Sequence, residues 1–75
     1  MHHTFTLNSE YIELDKLLKL LSIAHSGGAA KAMVADGMVR VDGALETRKT
    51  RKLRAGSVVE VLDETIRIVG DAADA

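Results

Sequence analysis

The chain has no cysteine and no tryptophan, and its aromatic residues stop at Phe5 and Tyr11. Without cysteine there is no disulfide framework, no cysteine-based metal site and no thiol nucleophile, a composition that fits a reducing cytoplasm. No apolar run approaches the ~20 residues of a membrane-spanning helix. Asn8, Ser9 and Glu10 interrupt any signal-peptide pattern at the N-terminus. There are no internal repeats. His2 and His3 stand at an end expected to fray, too few to hold a metal.

What remains is a small, charge-segregated domain. Seventy-five residues make one core, burying roughly 60% of the unfolded surface, and 47% hydrophobic content is enough to fold without staples. The formal net charge of −1 hides a polarised distribution. Residues 31–54 carry seven cations (Lys31, Arg40, Arg48, Lys49, Arg51, Lys52, Arg54) against Asp36, Asp42 and Glu46, a net of +4, while the rest of the chain sums to −5. A cationic segment on a near-neutral protein is an electrostatic footprint for nucleic acid; the plain alternative is a solvated loop. With two aromatics, a base-stacking platform is not expected, so such contacts should rest on cations and backbone amides.

Periodicity places the segment in a fold. Thr4-Phe5-Thr6-Leu7 alternates as a short strand. Leu14, Leu17, Leu18 and Leu21 form one helical stripe, with Lys16 and Lys19 on the other side and Asp15 spaced to pair with Lys19. That helix should end around residues 22–25. Ser26 is placed to cap a second helix, whose first turn holds Gly27 and Gly28 and whose buried stripe is Ala30, Met33 and Val34. Glycine weakens a helix; it either lets the chain turn sharply or leaves bare amides that can seat an anion. Lys31, near that N-terminus, sits against the helix dipole unless an anion is bound. Gly37 is the stop. From Met38 the period becomes two, with Val39 and Val41 on one face and Met38 and Arg40 on the other. Asp42-Gly43 predicts a hairpin turn, returning through residues 44–47 with Leu45 inward. Leu53 re-anchors the chain after the basic run. Residues 58–62 and 65–69 form an antiparallel hairpin joined at Asp63-Glu64. Residues 71–75 read as a disordered acidic tail, leaving residues 1–70 as a single domain. The fold class is α+β: two packed helices against a small, mostly antiparallel sheet.

Leu14-Asp15 with Leu18, the Ser26 turn, Ala30, Val34, Gly37, Val39 and Val41 with Gly43, and Gly56 leading into Val59 and Val61 occur in order at compatible spacing. Over about residues 12–61 this resembles the alpha-L RNA-binding domain, named after the fourth protein of the small ribosomal subunit. The form with Leu-Leu-Lys, Ser-Gly-Gly, Val-Asp-Gly and Glu-Thr-Arg-Lys is most similar to the stand-alone bacterial YbcJ-like branch. The resemblance implies RNA lying across the two-helix face and the adjoining loop. The chain departs from the family pattern at Gly27, where an arginine is usual, and at Glu13, Asp42 and Ser57. With that arginine missing, the resemblance implies a phosphate grip carried by the basic loop and Lys31.

The resulting expectation is a non-catalytic, cytoplasmic, monomeric protein without cofactor or metal. It would bind structured RNA, on the ribosome or a ribosomal precursor, by phosphate contacts. The candidate RNA-binding residues are Ser26, Gly27, Gly28, Lys31, Arg40, Arg48, Lys49, Arg51, Lys52 and Arg54, with Lys16, Lys19 and His25 as secondary candidates. The alternative is a protein-interaction module that presents the basic loop to an acidic partner. Catalysis finds no support: His25 beside Ser26 lacks a third group, and adjacent residues rarely orient as base and nucleophile.

Overall fold

The computed structural model describes residues 1–70; the expected tail, residues 71–75, lies outside them. In chain order the elements are β1 (His2–Thr6), β2 (Ile12–Glu13), α1 (Leu14–Leu20), α2 (Gly27–Ala35), β3 (Val39–Val41), β4 (Ala44–Leu45), β5 (Lys52–Leu53), β6 (Val58–Val61) and β7 (Glu64–Val69). Five strands form one sheet in the order β1-β7-β6-β3-β4, and β2 and β5 form a separate antiparallel ribbon. Within the larger sheet only β1 and β7 run parallel. The α+β architecture is the one expected.

The core follows the two periodicities. Leu14, Leu17 and Leu18 of α1 and Ala30 and Val34 of α2 are fully buried, as are Val39, Val59, Ile66 and Ile68 of the sheet. They belong to one apolar cluster, with Leu21 and Met33 packed at its edge. Small residues on α2 let it lie close to α1, and the two helices are in contact.

Both helices end in the same device. Ser22 N–H donates to Lys19 O and Ile23 N–H to Leu18 O; Gly37 N–H donates to Val34 O and Met38 N–H to Met33 O. Each pair closes a Schellman motif around a residue of positive φ, Ser22 at 59° and Gly37 at 76°.

Four expectations need correction. Leu45 is not inward: it pairs with Arg40 on the outward face and is 59% exposed, so the next residue, Glu46, is the one turned in. The β6–β7 turn is Leu62-Asp63, with Glu64 already paired to Val61. His2 and His3 are not frayed but belong to β1, and His3 Nε2 meets Glu64 Oε2 at 2.9 Å. Lys16, not Lys19, makes the ion pair on α1, at 2.9 Å from Glu13.

Candidate nucleic-acid interface

The basic run is a built turn rather than a loose loop. Arg51 N–H donates to Arg48 O at 3.2 Å, which closes a four-residue turn with Lys49 and Thr50 at its tip. That turn is pinned to α1, whose N-cap, Glu13, makes no side-chain capping bond. The first free amides of the helix bond to the turn instead: Leu14 N–H to Arg51 O and Asp15 N–H to Lys49 O, each at 2.9 Å. A helix start with unmet donors and a turn with unmet carbonyls satisfy one another.

Beneath the turn lies Glu46, 5% exposed and the buried charged residue of the described chain. Its carboxylate accepts from Arg48 Nε at 2.9 Å and Nη2 at 3.2 Å, from the Arg48 amide at 3.0 Å, and from Arg51 Nη1 at 2.8 Å. The Arg48 side-chain bond does most to hold the carboxyl down. Burial opposes it, but the Arg48 amide and Arg51 add to the lowering, and the pKa falls from 4.5 to about 2. Glu46 thus stays ionised and fixes two guanidinium groups on one turn. A shallow depression of about 510 Å³ is lined by Arg48, Thr50, Arg51 and Lys52.

Next to the turn, the β2–β5 ribbon buries Leu53 and half-buries Ile12 on one side. Period-two alternation puts Tyr11, Glu13, Lys52 and Arg54 on the other. Lys52 Nζ lies 4.9 Å, and Arg54 Cζ 5.6 Å, from the centre of the Tyr11 ring. Lys16 joins this face through Glu13, whose hydrogen bond raises the lysine's pKa.

At the tip of α2, Ser26 Oγ accepts from Ala29 N–H at 3.1 Å, the expected cap. A Cβ at Gly27 would meet nothing within 4 Å, so no neighbouring backbone requires that glycine. His25, Gly28 and Lys31 are exposed there, and Lys19 is exposed on α1. Arg40 is elsewhere: between the buried Val39 and Val41 it points to the opposite side of the sheet, cross-strand from Glu60.

The structure therefore joins Arg48, Lys49, Arg51, Lys52 and Arg54 on one turn-and-ribbon unit braced by α1, and it separates Arg40 from the helix-facing side. Two residues were missed from sequence. Glu46 looked like one acid diluting a basic segment, although a carboxylate two residues before one arginine and five before another is a usable signal. Tyr11 becomes visible only once β2 is known to pair with β5.

A compact α+β domain whose cationic turn is held over a buried carboxylate and bonded to α1 defines a class of small binding module; no helix among the described residues is long and apolar enough to cross a membrane. The S4 domain model matches residues 5–69, and the chain belongs to the S4 domain family. It is 43% identical over 67 residues to the Escherichia coli (strain K12) protein named "Putative RNA-binding protein YbcJ", covering 88% of this chain and 96% of that one. It is 36% identical over 61 residues to the Bacillus subtilis (strain 168) "Probable ribosome maturation protein RlbA", covering 81% and 86%. The solution structure of the E. coli protein, described as revealing an "alfaL motif involved in RNA-binding", superposes with a TM-score of 0.69 over 88% of this chain and 85% of that one. The alpha-L resemblance read from Leu14-Asp15, Ser26, Gly43 and Gly56 is thereby established.

Proposed function

We propose that this chain is a non-catalytic RNA-binding domain of the cytoplasm that acts as a monomer on structured RNA of the ribosome or its precursors. The observation that carries the reading is the Arg48–Arg51 turn, two guanidinium groups, one exposed and one partly exposed, anchored side by side on one buried carboxylate. Paired, pre-oriented guanidinium groups suit phosphate oxygens, and their ordering cost is met in the free protein. Lys49, Lys52 and Arg54 extend the contact to neighbouring phosphates. The α2 tip, with Ser26, Gly27, Gly28 and Lys31, seats one more. Lys16, Lys19 and His25 lie at the margin, and Arg40 is the weakest candidate because it faces the other way. The RNA is read by shape and backbone rather than by base sequence. The relatives' names, RNA binding for one and ribosome maturation for the other, support the choice of ligand.

Fluorescence anisotropy of a labelled ribosomal RNA fragment, repeated across a salt series, tests this. With about four to six phosphates neutralised, log K should fall against log salt with a slope of roughly −3 to −5. A flat affinity between low and moderate salt would sink the reading. So would partner binding in a lysate that survives nuclease treatment, which would instead favour an acidic protein partner.

A further inference from the structure

Of the chain's two aromatic residues, Phe5 packs against the core, while Tyr11 is exposed. Continuing the ribbon register from the Ile12–Leu53 and Glu13–Lys52 pairs by one residue sets Tyr11 opposite Arg54, with Lys52 on the diagonal. The two cations lie against the ring and restrict its orientation. Lys52 also lines the depression beside Arg48 and Arg51, so the turn and the ring share a wall.

The ring borders a second open depression, about 370 Å³, between Ser9 and Glu10 on one side and Glu13 and Lys16 on the other. Its charge is unlike that of the turn. Glu13 is paired with Lys16, which leaves Glu10 as the rim carboxylate that repels phosphate and can accept a hydrogen bond from an exocyclic amine. Adjacent sites of opposite preference, one for phosphate and one for a flat group with amine donors, match successive parts of one nucleotide chain.

We propose that Tyr11 stacks an unpaired nucleobase, which takes the place of a cation over the ring while Lys52 and Arg54 move to the flanking phosphates. The RNA therefore carries a bulged or looped-out nucleotide beside the segment gripped by the Arg48–Arg51 turn. A paired base has both faces covered by its neighbours in the helix and cannot offer one to a side chain; a splayed base can. This rests on the RNA-binding reading and adds to it the feature that is selected.

The chain has one tyrosine and no tryptophan, so its intrinsic emission reports Tyr11 alone and the unaltered protein can be tested. Two synthetic two-stranded RNA duplexes without loops serve as probes, identical except for a single bulged adenosine. The bulged duplex should quench Tyr11 emission and bind about 10-fold more tightly than the fully paired one. Tyr11→Phe should keep that preference. Tyr11→Leu should abolish it while leaving salt-dependent binding to both duplexes and an unchanged circular dichroism spectrum. Equal emission and affinity with both duplexes, or a bulge preference that survives in Tyr11→Leu, overturns stacking and leaves the phosphate grip standing. Failure to bind either duplex at low salt overturns both.

Discussion

At the scale of single residues, Glu46 matters most. It sits where alternation predicts an inward side chain after the Asp42-Gly43 turn, but one position later than the apolar Leu45 suggests. The register explains the offset: Leu45 is fixed opposite the outward Arg40, so the inward place falls to a carboxylate. Glu46→Gln keeps the shape and removes the charge, leaving Arg48 and Arg51 close together without their anion. The cost should be about 1–2 kcal/mol, reduced from the value for a fully buried pair because the Arg48 side chain is 71% exposed and screened by solvent. The sign with pH follows from the lowered pKa. Glu46 titrates near 4.5 when free and at about 2 when folded, so its contribution is complete above pH ~4.5 and is lost as pH falls toward 2. Urea midpoints of the two proteins should differ at pH 7, draw together as pH falls below ~4.5 and converge only below pH ~2; a constant gap would show that the carboxylate's charge is not what stabilises the turn. In sequence the Glu46 role was hidden because charge counting treats an acid among cations as dilution, whereas burial makes it the organiser.

At the scale of elements, what could be read in advance was what repeats. The Leu14-Leu17-Leu18 stripe and the alternation of residues 38–41 each carry several residues of one period, the Ser26 cap carries a residue type tied to a helix start, and all three stand in the structure. The β2–β5 ribbon carries two residues on each side, separated by most of the fold. Two residues establish no period, so the pairing that brings Tyr11 to Lys52 and Arg54 left no local mark. Gly27 lies between these cases. Its place in the first turn of α2 was legible, but its reason was not, and the open space around it removes close backbone packing as the cause. Gly27→Ala should therefore be accepted without clash and raise stability by about 0.5 kcal/mol, a few degrees in Tm. If the bare tip seats a phosphate, the same methyl group should weaken RNA binding several-fold. Thermal melts and anisotropy on one preparation separate the two effects. Unchanged RNA affinity in a more stable protein would remove the α2 tip from the interface.

At the scale of the whole molecule, charge segregation and stability are entangled. The cations of residues 48–54 serve two roles: Arg48 and Arg51 are bound to Glu46, while Lys49, Lys52 and Arg54 make no ion pair among the described residues. Replacing the entire run by alanine would leave a buried carboxylate without partners and confuse unfolding with loss of RNA binding. The informative variant is Lys49→Ala combined with Lys52→Ala and Arg54→Ala. Three exposed side chains are lost, and the Glu46 network and the turn's bonds to α1 are left alone. Its urea midpoint at pH 7 should stay close to that of the parent, because surface charges of this kind contribute little to stability. Its RNA affinity should fall, and the salt slope should become shallower by about 2 to 3. One reading must hold while the other falls: an unaltered slope with preserved folding would mean that RNA passes over some other part of the surface, however positive this one is.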